Sequence, residues 1–473
     1  MIDPFTATIL PIAAAALVAG GGAFLALTLL AEGEPGGARR AALGTGVVLI
    51  LLVFLDLAVP TPYNTIIFGL LLLAIALTSA FLFLPVGAIT SSSLPQGDSH
   101  YNRASIDERD TMFARMSYMP GSTQYDDYYR ERPDKKRVDD ALRELPGLLQ
   151  PGSRAYDPGS FPMAESAFKF LSDINHLASG GHNPKAGDDP SLEPAARQPL
   201  TPSRATGFLK GLARHYGATL VGVTDLEPFH LYTRLGRRPE VYGQEVDLKH
   251  TQAIALAVEM DFDMVRRAPY GSAVVESSHQ YVESAKIALV LAYYIRSLGY
   301  DARAHIDANY QVIAPLVAAS AGLGEIGRMG ILITRPYGPR VRLAVVTTDL
   351  PLVFDEPFSF GVQDFCRICK KCSDNCPSDA IPSGDREPIN GGPPRWQIDQ
   401  EKCFGFWQRV GTDCAICMKV CPYSKPDTLI HRPIRRAIER SQAARWVALK
   451  ADDLFYGRRR ALDATPPKWL DER

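Results

Sequence analysis

All eight cysteines of the 473-residue chain lie between Cys366 and Cys421, and their spacing dictates what that segment can fold around. Cys366, Cys369, Cys372 and Cys376 follow the pattern C-x2-C-x2-C-x3-C, with Pro377 next. Cys403, Cys414, Cys417 and Cys421 follow, the last three spaced C-x2-C-x3-C and succeeded by Pro422. An iron–sulfur cube needs four converging thiolates. A C-x2-C-x2-C turn supplies three, and the cysteine before proline reaches across to a neighbouring cluster. The spacing therefore predicts one 4Fe–4S cluster on Cys366, Cys369, Cys372 and Cys421, and a second on Cys376, Cys403, Cys414 and Cys417. A disulfide framework would not require this spacing, and zinc sites would not require the crossed pair. No cysteine is left over for a disulfide or a thiol nucleophile. The chemistry is one-electron transfer.

Charge balance argues against a nucleic-acid partner: 51 basic and 52 acidic residues leave a net charge of −1, with no basic run long enough to form an arm. The length fits about three domains, and the absence of cysteines for disulfides suits a reducing compartment.

The first ninety residues or so differ from the rest. Ile9–Leu30 contains no charge, Ala41–Val59 contains only Asp56, and Thr65–Leu84 contains none. Each is near the length of about 20 residues that crosses a hydrocarbon core of about 30 Å. A cleaved signal peptide would give one such run, so three in succession predict three spanning helices. Gly20, Gly21 and Gly22, with Gly44 and Gly46, would let the first two helices approach closely. Arg39 and Arg40 occupy the first loop, and the positive-inside rule puts that loop in the cytoplasm. After three crossings the remainder of the chain also faces the cytoplasm. A twin-arginine export signal would place its pair before the first apolar run, and none stands there. The expectation is a multi-pass protein of the inner (cytoplasmic) membrane, with membrane lipid as a partner.

Five segments follow: an anchor at 1–90, a loop-rich part at 91–200, an α/β core at 201–350, the cluster module at 351–432, and a tail at 433–473 packing on the core. Helical patches are expected near Asp139–Leu149 and Ala164–Leu177, and a loop over Ser179–Pro202. Within the core, Ala218–Thr224, Ala253–Met260, Gly330–Thr334 and Arg342–Thr348 read as strands. An apolar-periodic helix runs from about Tyr281 to Leu298, and another covers Val312–Ala321. Gly322, Gly324 and Gly327 spell G-x-G-x-x-G. A dinucleotide fingerprint needs a strand before and a helix after it, and here that order is reversed. A glycine turn that admits a different flat cofactor fits better.

The run from Ala321 to Leu343, the segment Thr347–Leu352 and the cysteine module that follows resemble the cobalamin-dependent reductive dehalogenases. Segments around Glu259-Met260, Ser278–Tyr281, Ser297–Tyr300, Asp453–Arg458 and Pro467–Trp469 extend the resemblance over roughly 200–473. It implies a nitroreductase-like α/β (α+β) core that holds base-off cobalamin, followed by a bacterial two-cluster ferredoxin module. It also implies exchange of a carbon–halogen bond for carbon–hydrogen on a small halogenated organic substrate. Tyr281 matches the family's proton-donating tyrosine, Arg340 is the candidate to stabilise its phenolate, with Arg328 and Arg342 as rivals, and Asn309 matches a pocket-lining polar residue. Gly322, Gly324, Gly327 and Arg328 are the candidate cofactor-binding residues. No D-x-H-x-x-G string is present, since Asp98-Ser99-His100 lacks the glycine, in keeping with a cobalt that takes no protein histidine.

The chain departs from the family at its front, where a three-helix anchor is fused in place of an export signal and a separate anchor protein. Glu32 and Glu34 are similar to the Glu-x-Glu pairs of such anchor proteins, although a single pair is better accounted for by a solvated loop. The electron donor, quinol or ferredoxin-like, stays open, and a homo-oligomer is compatible. Two other readings compete: an iron–sulfur membrane subunit without corrinoid, and an enzyme like epoxyqueuosine reductase, which shares the glycine turn and cluster module.

Overall fold

The computed structural model describes residues 4–61, 63–83, 106–179, 197, 200–388 and 394–470. Asp98 to His100 and most of 179–202 lie outside them.

The chain opens with helices α1 (Pro4–Ala31), α2 (Pro35–Ala58) and α3 (Tyr63–Phe83). Two apolar spans, Thr8–Ala31 and Pro35–Ala58, are long and apolar enough to cross a membrane, while the apolar stretch described in α3, Tyr63–Thr78, is shorter. Large aliphatic side chains face outward, with Leu43, Ile50 and Leu57 at 71%, 69% and 81% exposure. Only lipid or another apolar surface makes such a face stable. Of the five glycines expected to bring the first two helices together, Gly22 makes a close contact: a Cβ there would sit 2.0 Å from the Thr45 hydroxyl. Gly20, Gly21, Gly44 and Gly46 have nothing within 4 Å.

Short helices α4 (Met112–Ser117), α5 (Thr123–Glu131), α6 (Pro133–Arg143) and α7 (Ser160–Ile174) come next. Helix α8 (Pro202–His215) leads into strands β1 (Leu220–Asp225) and β2 (Gln252–Glu259), followed by the single turn α9 (Phe262–Val265) and the long α10 (Gly271–Ser297). Strand β3 (Ala302–His305), helix α11 (Ala314–Ser320), the short pair β4 (Gly324–Ile326) and β5 (Leu332–Thr334), and β6 (Val341–Thr348) complete the core.

Four strands form an antiparallel sheet in the order β1-β2-β6-β3, with Ile254 opposite Val346 and Val223. Strand β2 is buried on both faces, and its alternation separates two packing surfaces. Ile254, Leu256 and Val258 join a cluster with Ala288, Leu291 and Ile295 of α10. Ala253, Ala255 and Ala257 face the other way, against Val317, Ala318 and Ala319 of α11. Large side chains on one face and alanines on the other let α11 lie close to the sheet.

The expected strands of the core are present, while the helix expected near Asp139–Leu149 lies earlier, as α6, and ends at Arg143. Another shift bears on the site. Helix α10 begins at Gly271, ten residues before Tyr281, so Tyr281 sits in its third turn and not at its start.

The cluster module carries α12 (Val362–Cys369), α13 (Lys371–Asp374), α14 (Gln400–Val410) and α15 (Ile416–Val420). Helices α16 (His431–Arg440) and α17 (Gln442–Tyr456) follow. The chain divides into two units, Met1–Thr90 with Asp427–Arg460, and Ser91–Pro426 with Ala461–Arg473. This corrects the expected tail: α16 and α17 belong with the N-terminal helices, and only the residues from Ala461 onward join the core. The physical reason is a set of polar bonds within the first unit. Glu32 is buried, with Oε1 2.7 Å from His431 Nε2 and Oε2 accepting from the Tyr456 hydroxyl at 2.5 Å. Arg460 pairs with Glu34 at 2.9 Å, and Arg40 donates to the Phe455 carbonyl at 3.0 Å. The Glu32–Glu34 pair is thus engaged by protein and is not a solvated loop.

Candidate functional site

The cysteines separate into two groups. Cys366 and Cys369 lie on α12, Lys370 turns the chain with φ +57°, and Cys372 is the second residue of the next helix. Cys421 arrives from the end of α15, and all four sulfur-bearing residues line one cavity with Arg328, Phe365 and Tyr423. Burial, and after it the charges of Cys366, Cys369 and Cys372, push the Cys421 thiol well up. For Cys417 the largest effect is again burial, followed by Cys414, Cys403 and Cys376. Cys372 also feels Cys417, which sets the two groups side by side. Burial pushes Cys366 and Cys403 up to about 11 and Cys414 to about 12. Buried thiols crowded four at a time persist as thiolates only against bound cations. Both groups therefore fit iron–sulfur clusters, and the crossed partition read from spacing is the one the fold brings together.

Tyr281 lies on the face of α10 toward β6. Its ring packs on Phe168 at a centroid distance of 6.2 Å, and the Arg342 guanidinium stands 4.9 Å from the ring centre. The hydroxyl makes no hydrogen bond to the described residues. Burial pushes the phenol above its usual value; Arg342 and Arg237 pull it down, and Asp307 and Asp413 raise it. Arg342 donates to Ser277 Oγ and to Asp413 Oδ2 at 2.8 Å. Arg237 pairs with Asp307 at 3.1 Å. Tyr232 and Tyr310 belong to the same surroundings, each held neutral by burial. These groups sit deep in the fold yet keep accessible surface, 14% for Arg342 and 20% for Arg237.

The other expected residues stand elsewhere. Arg340 is wholly buried, with Nε bonded to Ser424 O at 2.7 Å and Nη1 to Glu259 at 3.0 Å and to Met260 O. Arg342, the rival, is the one beside Tyr281. Asn309 is buried in the turn after β3, where its amide donates to Asn175 O at 3.0 Å and accepts from Arg303. Its neighbour Asp307 is the residue that reaches the Tyr281 surroundings.

The glycines serve packing between parts of the chain itself. A Cβ on Gly322 would lie 2.6 Å from Glu356 O, on Gly324 2.2 Å from Ile333 O, and on Gly327 2.3 Å from Ile333 Cδ1. On the side where a Cβ would point, each of these glycines therefore meets protein atoms. Arg328 turns to the cluster loop and bonds to carbonyls of Cys366, Pro382 and Gly384.

Sequence reasoning missed Arg237, Ser277, Asp307 and Asp413. Only Asp413 carried a usable signal, an acidic residue directly before the ligand Cys414.

A 4Fe-4S dicluster domain model matches residues 365–425. The tetrachloroethene reductive dehalogenase of Sulfurospirillum multivorans is 32% identical over 293 residues, 55% of this chain and 58% of the relative. That of Dehalobacter restrictus is 37% identical over 282 residues, 50% of this chain and 51% of the relative. Among solved structures, a catabolic reductive dehalogenase in complex with 3-bromo-4-hydroxybenzoic acid aligns with a TM-score of 0.60 and 26% identity, covering 78% of this chain and 49% of that one. The chain spans about half the length of the curated relatives it matches. Over that shared length it is similar to the reductive dehalogenases.

Proposed function

We propose that this protein is a membrane-anchored reductive dehalogenase that replaces a carbon–halogen bond by carbon–hydrogen, consuming two electrons and one proton and releasing halide. The observation that carries the reading is the Tyr281 hydroxyl, which has no hydrogen-bond partner among the described residues and whose ring stands beside the Arg342–Asp413 pair, with Asp413 adjacent to the cysteine Cys414.

A base-off corrinoid in the nitroreductase-like core fits the donor set. His230, His250 and His305 each have both ring nitrogens engaged by protein groups, which supports a cobalt held without a histidine ligand. When bound, the reduced corrinoid would supply the low-valent cobalt that opens the carbon–halogen bond. The chain's residues do the rest. Two 4Fe–4S clusters on the two cysteine groups would pass electrons singly. Tyr281 would hold a proton at its hydroxyl until a basic carbon forms, and Arg342 would stabilise the phenolate left behind. Asp413 and Ser277 would fix the guanidinium, and the Arg237–Asp307 pair would line the space for a small organohalide.

The N-terminal helices would hold the enzyme in the inner membrane, with the catalytic part on the cytoplasmic side of a three-helix anchor. A reporter active only in the periplasm, fused after Arg473, should stay silent; strong activity from an intact fusion would reverse the orientation.

Metal analysis with an ultraviolet-visible spectrum of anaerobically reconstituted protein tests the cofactor reading. About eight irons and one cobalt per chain are expected. Iron without corrinoid would leave an electron-carrying subunit instead.

A further inference from the structure

We propose that Arg328 is the counter-charge of the cluster held by Cys366, Cys369, Cys372 and Cys421, and that it raises that cluster's reduction potential. The inference rests on the cluster reading above and is independent of the reaction at Tyr281.

Arg328 is wholly buried, and its recorded hydrogen bonds end on neutral carbonyl oxygens. Nε and Nη2 donate to Cys366 O at 3.2 and 3.1 Å, while Nη1 donates to Pro382 O at 2.7 Å and Gly384 O at 2.8 Å. Its guanidinium carbon lies 4.5 Å from the centre of the Trp396 ring. Among the described residues no carboxylate pairs with it. The other wholly buried arginines differ: Arg115 pairs with Asp139 and Glu401, and Arg340 pairs with Glu259.

A guanidinium stays charged in any protein environment, and a buried charge without a partner is strongly disfavoured. A compensating anion must therefore be near. The candidate is the cluster, since Arg328 lines the same cavity as its four cysteines. Four thiolates around an iron–sulfur cube carry net negative charge, which increases when the cluster accepts an electron. A fixed cation at its edge favours the reduced form, and hydrogen bonding and local charge are recognised levers on such potentials. Arg328 also bonds to the Cys366 carbonyl, so it positions a ligand-bearing residue as well as acting through charge.

The test is a redox titration of the full detergent-solubilised chain, followed by electron paramagnetic resonance, on wild type, Arg328→Met and Arg328→Lys. Arg328→Met should lower one midpoint potential at least tenfold in the reduced-to-oxidised ratio, about 59 mV for a one-electron couple. The second cluster should stay where it was, and Arg328→Lys should retain most of the wild-type value. Both clusters present in Arg328→Met with unchanged potentials would overturn the proposal. Should Arg328→Met lose iron, wild-type protein grown with guanidino-15N arginine decides the matter. Pulsed spectra of its reduced clusters should show a 15N coupling, and their lacking it would refute the assignment. Wild type devoid of iron would sink the cluster reading itself, a distinct failure.

Discussion

Replacing Tyr281 by phenylalanine removes one oxygen atom, and the structure sets what that should cost. The hydroxyl has no hydrogen-bond partner among the described residues, so no donor or acceptor is stranded. The ring contact with Phe168 and the approach of Arg342 to the ring face involve the aromatic carbons, which phenylalanine keeps. Folding stability should change by less than about 0.5 kcal/mol. Turnover should fall by about 10²–10⁴, the usual contribution of a positioned general acid. That corresponds to roughly 3–5 kcal/mol on the barrier. The assay is halide release by protein loaded with cobalamin and both clusters, driven by an artificial reductant and offered several halogenated phenols and alkenes, with thermal unfolding measured in parallel. Because burial raises the phenol above its ordinary value of about 10, loss of the proton should not limit wild-type activity below that pH. Full activity of Tyr281→Phe on the best substrate would show that this tyrosine is packing and that another group delivers the proton.

Arg342→Lys should depress turnover, because an ammonium cannot hold Ser277 and Asp413 while facing the phenol as a planar guanidinium does. Arg340→Lys should instead lower the melting temperature, since Arg340 bonds to the Glu259 carboxylate and the Ser424 carbonyl, away from Tyr281; the reverse pattern in paired activity and unfolding assays would exchange their roles. His230 titrates near about 4 because burial opposes its charge, whereas an unfolded histidine titrates near about 6.5. Its folded value is the lower one, so its stabilising effect is complete above pH 6.5 and is lost as the pH falls toward 4. Wild type should lose about 3 kcal/mol more than His230→Gln across that window, and equal slopes in pH-dependent unfolding would contradict the assignment.

The cysteine partition was legible because ligand spacing is local: eight residues within one short segment carry it. The sheet was legible for a similar reason, since β2 and β6 each carry an unbroken apolar run, Ala253–Val258 and Leu343–Val346. What escaped the sequence is long-range. Arg340 and Arg342 are two residues apart and would share a face on an uninterrupted strand. Strand β6 begins at Val341, however, so Arg340 lies in the preceding turn and swings to Glu259. The start of α10 was hidden because its first turns carry small residues such as Ser272, Ala273, Ser277 and Ser278, and apolar periodicity sharpens only after Tyr281. The pairing of Glu32 with His431 spans almost the whole chain, and nothing local in either segment announces it.

Electron and halide accounting tests the central claim most directly. Fully loaded protein, given a limiting reductant and an excess of an organohalide that it turns over, should release one halide and form one hydrogenated product for every two electrons consumed. Reductant oxidised without halide release across halogenated phenols and alkenes, by protein shown to contain cobalt and iron, would contradict the account.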